Sequence, residues 1–193
     1  MTMLTATTYL SLDGVAQGPG TPAEDPRDGF DLGGWLTPYY DAVMAEYAAD
    51  WFSRADGFLL GRRTYEIFAG YWPTVGGSDP IGGPLNSLPK YVASRTLTRS
   101  SWQRTAFLRD DVVRAVAELK AEPGRELQVH GSLDLLRTLM AADLVDEYRL
   151  WVFPVVLGKG RRLFETGTSP HTLRLAEHRT TDKGVSVQVY RAA

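Results

Sequence analysis

Apolar and polar positions change their period repeatedly along this chain, and each change predicts an element. Leu4 to Leu10 alternates loosely and is rich in threonine, as a first strand would be. It runs into Ser11-Leu12-Asp13-Gly14, a turn with one carboxylate at its tip. From Val15 to Thr37 no period survives. Gly18, Gly20, Gly29, Gly33 and Gly34 mix there with Pro19, Pro22, Pro26 and acidic residues, and Trp35 stands near the end. Loops beyond about 12–15 residues are uncommon in compact domains and are usually functional or disordered. Thr37-Pro38 then predicts a helix start, with proline at the first helical position. Tyr40, Val43, Met44, Tyr47, Ala48, Trp51 and Phe52 follow at three-four spacing, which is the buried stripe of a helix packed on a sheet.

The apolar run 57–60 reads as a buried strand that turns at Gly61 into a helix over 64–69, with Thr64 placed to cap it. A second glycine- and proline-rich loop is expected to Pro89. Strands are predicted at Lys90–Ser94 and near Arg104–Leu108, and a helix from Asp110-Asp111 to Pro123-Gly124. Leu127–His130 is the next strand, and Gly131-Ser132 turns it into a helix with Leu135, Leu136, Leu139 and Met140 on one side. Tyr148–Phe153 is a long buried strand, and His171–Arg179 and Val185–Tyr190 close the chain as an antiparallel pair. Strands alternating with helices indicate an α/β sheet, mostly parallel with an antiparallel edge.

The 193 residues suit one domain spanning 1–193, and 44% hydrophobic with 23% charged residues is ordinary for a soluble globule. A formal charge of −2 argues against a nucleic-acid or membrane-surface partner. No run approaches the roughly 20 apolar residues of a membrane span. Met1–Thr5 lacks the basic start and apolar core of a signal peptide, so a cytoplasmic location is expected. With no cysteine, thiol nucleophiles and cysteine metal sites are excluded. His130, His171 and His178 are not at metal-ligand spacing.

Two strand–glycine–helix junctions remain, at Gly61-Arg62-Arg63-Thr64 and at Gly131-Ser132-Leu133, with Ser94-Arg95 at a third strand end. In a parallel sheet all lie at the carboxyl ends of strands, where open α/β sheets bind ligands. Two helix N-termini with arginines beside them suit the phosphates of a dinucleotide. Each junction alone also fits an ordinary turn. No Gly-x-Gly-x-x-Gly fingerprint, P-loop or Gly-x-Ser-x-Gly elbow is present. Asp13 is the one carboxylate at a strand end facing a glycine-rich loop, and it reads either as a site group or as a plain Asp-Gly turn.

These segments, in this order, resemble the dihydrofolate-reductase-like family, in the branch of the C-terminal reductase domain of bacterial riboflavin biosynthesis enzymes. Ser11–Gly14, Leu60–Glu66, Tyr71-Trp72-Pro73, Val129–Ser132, and the run from Leu144 through Phe153–Gly160 to Leu163-Phe164 carry the resemblance. It implies a central mixed, mostly parallel sheet flanked by helices, NADPH as hydride donor and homodimerisation. It places Gly61, Arg62, Arg63 and Thr64 on a phosphate turn, Ser94 and Arg95 at the adenine ribose and its 2′-phosphate, and Gly131, Ser132 and Leu133 on a second pyrophosphate turn. Folate reductases hold the pterin with a carboxylate on the first long helix, where this chain offers Asp41, Glu46 and Asp50 outside the apolar stripe.

The expectation is therefore an NADPH-dependent reductase of a small heterocyclic or carbonyl substrate. Asp13 is the candidate for proton relay or substrate binding, and Trp35, Pro154, Leu157 and Gly158 are the candidates for covering the substrate ring. The alternative is a dimeric NADP(H)-binding protein on the same fold with no turnover.

Overall fold

The computed structural model describes all 193 residues. In chain order the elements are β1 (Met3–Ser11), α1 (Ala42–Ser53), β2 (Ala55–Gly61), α2 (Arg62–Ala69), α3 (Gly82–Ser87), β3 (Lys90–Ala93) and β4 (Thr105–Leu108). They continue with α4 (Val112–Ala121), β5 (Glu126–His130), α5 (Leu133–Ala141), β6 (Glu147–Phe153), β7 (Leu173–Thr180) and β8 (Ser186–Ala192). The strands form an eight-stranded sheet in the order β4-β3-β2-β5-β1-β6-β8-β7. β2 runs parallel to β3 and β5, and β3 parallel to β4. β8 runs antiparallel to both β6 and β7. This is the mostly parallel α/β sheet with an antiparallel C-terminal pair that the periodicity predicts. No helix is long and apolar enough to cross a membrane.

Contacts gather into two compact units. One holds Met1–Ala6 with Glu46–Asp146, and the other holds Thr7–Ala45 with Glu147–Ala193.

In the first unit a core of Phe52, Ala55, Phe58, Leu60, Tyr65, Leu85, Val92 and Trp102 is buried. Removing such side chains from water is the main favourable term, at roughly 1.5–3 kcal/mol for each large one. The expected loop before Pro89 contains α3 instead. Asp79 Oδ1 accepts the amides of Ile81 at 2.9 Å and Gly82 at 2.7 Å, which caps the start of this helix. A Cβ on Gly83 would lie 2.5 Å from the Gly77 carbonyl oxygen, so only glycine allows that approach. Lys90 closes the other end, its Nζ donating to the carbonyls of Leu85 at 2.7 Å and Leu88 at 2.9 Å.

In the second unit aromatic rings gather on Phe153. Trp35 meets it edge-on at 5.3 Å, Tyr39 at 5.9 Å and Tyr9 at 6.1 Å between centroids. Thr37-Pro38 opens a short 3-10 turn, Thr37–Tyr39, and α1 begins only at Ala42. Asp41 takes the capping role expected of Thr37, accepting the Met44 amide at 3.0 Å.

Candidate functional site

Within the first unit, parallel pairing aligns the carboxyl ends of β2, β3 and β5. Gly61 is in register with Ala93, and Leu59 with Val129. Ser94 therefore follows directly beside the start of α2, and the starts of α2 and α5 are neighbours. The serine hydroxyl at position 132 joins them. Its Oγ accepts the Gly61 amide at 2.9 Å and lies 3.0 Å from Thr64 Oγ1 and 3.1 Å from the His130 carbonyl oxygen. A Cβ added at Gly61 would sit 3.4 Å from the Ser132 side chain, so the two turns are in contact.

The turn after β5 is left-handed at consecutive residues, Gly131 with φ 53° and Ser132 with φ 57°. For serine that conformation costs on the order of 1–2 kcal/mol, which the bonds of its side chain offset. Ser132 is the N-cap of α5 yet makes no capping bond, and neither does Gly61 at the N-cap of α2. Thr64, expected as a cap, lies inside α2 and turns its hydroxyl to Ser132. The first-turn amides of α1, α3 and α4, by contrast, are taken by Asp41, Asp79 and Asp111. The two helix starts at the aligned strand ends thus keep amides and positive dipole ends for an outside acceptor.

Cations surround this pair of turns. Arg62 is held by Glu66 at 2.8 Å and by the Thr96 hydroxyl at 2.6 Å. Ser94 Oγ accepts the amides of Thr96 at 3.3 Å and Leu97 at 3.1 Å, which shapes the segment carrying the exposed Arg95. Arg63 is exposed as well, and Leu133 is half-buried at the first position of α5. Asp134, also in that first turn, is exposed and engaged by Arg137 at 3.2 Å. His130 is a packed core group, stacked on Phe52 at 4.6 Å with its Nε2 3.2 Å from Gln128 Oε1.

Asp13 belongs to the second unit, and its carboxylate is fully engaged. Oδ1 accepts the Ser11 hydroxyl at 2.7 Å and the Leu157 amide at 3.1 Å, and Oδ2 accepts the Gly158 amide at 2.9 Å. Arg162 donates to the Asp13 carbonyl oxygen at 2.9 Å and approaches Oδ2 at 3.4 Å. Burial opposes ionisation, but the Ser11, Leu157 and Gly158 bonds outweigh it and pull the pKa down to about 2. Such a group is a carboxylate at neutral pH, and its geometry is that of a staple between the turn after β1 and the loop after β6.

Trp35, the expected ring cover, is packed inside the second unit. It is 7% exposed, packed on Phe153, and its indole N–H donates to the Gln17 carbonyl at 2.9 Å. In the loop after β6, Pro154 and Gly158 are exposed and Leu157 is half-buried. Gln17 organises the long loop. It is 3% exposed, donates to the carbonyls of Asp25 at 3.1 Å and Arg27 at 3.0 Å, and accepts the Arg161 amide at 3.0 Å. The sequence signal for it was faint, a lone long amide in a stretch of glycine and proline.

A family model described as the RibD C-terminal domain matches residues 2–187. The uncharacterized protein YyaP of Bacillus subtilis (strain 168) is 33% identical over 144 residues, covering 73% of this chain and 76% of that one. A crystal structure from Shewanella sp. PV-4, provisionally named for riboflavin biosynthesis, superposes with a TM-score of 0.70 at 20% identity and covers 99% of both chains. Dihydrofolate reductase of Enterococcus faecalis, complexed with NADP(H) and RAB-propyl, superposes at 0.61 with 13% identity, over 98% of this chain and 96% of that one. At those identities the two structures establish a shared fold. With the family model spanning nearly the whole sequence, the chain belongs to the family of the RibD C-terminal domain.

Proposed function

We propose that this chain is an NADPH-dependent reductase of a small heterocyclic or carbonyl substrate. One observation carries the reading: α2 and α5 start without side-chain caps, and a hydrogen bond from Gly61 to Ser132 ties those two starts together. Gly61, Thr64, Gly131, Ser132 and Leu133 would offer amides and hydroxyls to the pyrophosphate. Arg62, Arg63, Ser94 and Arg95 would take the adenine ribose with its 2′-phosphate. The dihydrofolate reductase neighbour, which is complexed with NADP(H), supports a dinucleotide in this fold. The bound cofactor supplies the hydride, and the protein supplies orientation and exclusion of water. The loop Pro154–Gly158, held by Asp13, is the proposed substrate-binding element, and Asp13 acts in it as a positioning residue. A homodimer through the C-terminal strands and a cytoplasmic location complete the proposal.

A second reading, NADP(H) binding without turnover, draws on the same carboxylate: Asp13 is the one candidate proton donor in the sequence, and its bonds to Ser11, Leu157 and Gly158 favour a structural role. Fluorescence titration with NADPH and NADH, followed by turnover with a carbonyl and pterin panel, separates the readings. Micromolar NADPH binding with oxidation by a panel member supports the reductase. Binding with no oxidation favours the second reading, and no binding ends both.

A further inference from the structure

The Ser132 hydroxyl has more partners than it has hydrogens. Three groups surround it: the Gly61 amide at 2.9 Å, Thr64 Oγ1 at 3.0 Å and the His130 carbonyl at 3.1 Å. A serine hydroxyl brings one hydrogen and two lone-pair positions. The Gly61 amide takes one lone pair. If the hydrogen points to His130, the second lone pair receives the hydrogen of Thr64. If it points to Thr64 instead, the Thr64 hydrogen is released to an outside acceptor. The group therefore has two complete arrangements. An N-cap serine ordinarily turns its oxygen to its own helix. The left-handed backbone here turns it across to α2, leaving the α5 amides uncovered.

We infer that the Ser132 hydroxyl is a latch between the two turns, an inference that rests on the dinucleotide reading above. It holds the β2–α2 turn against the β5–α5 turn. When a dinucleotide phosphate arrives, its hydrogen swings from the His130 carbonyl to Thr64 Oγ1, and the Thr64 hydrogen turns to the phosphate. No covalent bond changes; one hydroxyl rotor trades acceptors and the next follows. Ser132 is thus a positioning residue that acts through Thr64 and the Gly61 amide, and the two turns bind as one.

The test measures NADPH affinity and thermal unfolding for the wild-type chain, Ser132→Gly, Thr64→Val and their double variant. Glycine suits the left-handed backbone, so Ser132→Gly should keep its Tm near wild type. Its NADPH affinity should nevertheless fall about tenfold, the scale of one to two lost hydrogen bonds. Thr64→Val should lose a similar factor, Thr64→Ser should restore it, and the double variant should bind no worse than the weaker single. Wild-type affinity in Ser132→Gly, or losses that multiply in the double variant, would overturn the latch while leaving the dinucleotide reading intact. If Ser132→Gly fails to fold, wild-type affinity in Thr64→Val overturns it equally. A wild-type chain that binds no NADPH removes the reading itself, and the latch with it.

Discussion

The Asp13 carboxylate and the Gly158 amide, 145 positions apart in sequence, are joined by a 2.9 Å hydrogen bond. With the Leu157 amide at 3.1 Å and Arg162 gripping the Asp13 carbonyl at 2.9 Å, this bond sets the path of the loop after β6. The carboxylate thus pins two successive amides of that loop, Leu157 and Gly158, and holds them most strongly when ionised.

That condition makes stability depend on pH. The folded pKa of Asp13, about 2, lies below the unfolded value near 3.9. Its stabilisation is therefore complete above about pH 4 and is lost as pH falls from there through about 2. Asp13→Asn places an amide N–H against a backbone N–H and should cost about 1–2 kcal/mol at pH 7. Urea unfolding of both proteins at pH 7 and pH 2.5 checks this. The gap between the two curves should be full at pH 7 and much narrower at pH 2.5, and an equal gap at both would count against the staple.

Lys90 predicts a slope of the same sign at alkaline pH. It is 0% exposed, bonded to two carbonyls, and its Nζ stands 4.7 Å from the Trp102 ring centroid. Burial, with a smaller push from Arg104, lowers its pKa to about 8. The unfolded chain holds this proton up to about pH 10.4, so folding becomes more favourable as pH rises from about 8 to 10. Lys90→Met should flatten that rise, and should cost about 1–3 kcal/mol at pH 7 by orphaning the Leu85 and Leu88 carbonyls. Chemical denaturation at pH 7 and pH 9.5 reads both effects. A wild-type protein whose stability falls over that interval by as much as the variant's would refute it.

The strands and the larger helices were legible from their apolar positions: Leu127–His130 is a short strand buried throughout, and Met44, Ala48, Trp51 and Phe52 form the buried stripe of α1, while Tyr40, expected in that stripe, lies outside the helix and is 45% exposed. The helix α3 was not, since Gly82-Gly83-Pro84 has the composition of a loop. It forms because Asp79 caps one end, Lys90 caps the other, and the Gly83 backbone packs on Gly77. Local propensity could not reveal a helix whose terminal partners lie outside it. The cofactor candidates were visible as strand–glycine–helix junctions, but the bond between those junctions crosses 71 positions and has no periodic trace. Asp13 and Trp35 stood out as isolated groups by an unpatterned loop. Their partners, Leu157 and Gly158 for one and Phe153 for the other, fix their positions, and those contacts exist only in the folded chain.

Assembly offers a separate test. β7 stands at an edge of the sheet with nearly every side chain exposed, Leu175 at 51%. The strand carries Arg174, Glu177 and Arg179, and its pairing with β8 shifts register between Leu175 and Glu177, features that keep edge strands from pairing further. A homodimer through the C-terminal strands should therefore use their faces. Sedimentation velocity at tens of micromolar, an order-of-magnitude choice for an obligate dimer, should give twice the 21.4 kDa chain. Leu175→Glu should shift it to monomer; a wild-type monomer at that concentration would end the proposal.

Cofactor preference follows from where the arginines are anchored. The Arg62 guanidinium spans from Glu66 in α2 to Thr96 beyond β3, so it is oriented before any ligand arrives. Arg95 is exposed one residue after Ser94, whose hydroxyl folds the 94–97 turn. A 2′-phosphate at this turn would gain charge-assisted bonds of roughly 1.5–3 kcal/mol each, so NADPH should bind about tenfold or more tighter than NADH. Arg95→Ala should erase most of that ratio by weakening NADPH alone. Arg62→Ala, which also loosens the turn beside Gly61, should weaken both cofactors. Because these cations face solvent, the ratio should shrink as salt rises from about 0.01 M to 1 M and the Debye length contracts from about 30 Å to 3 Å. Equal affinities at low salt, or a ratio indifferent to Arg95→Ala, would show that the 2′-phosphate is read elsewhere or not at all.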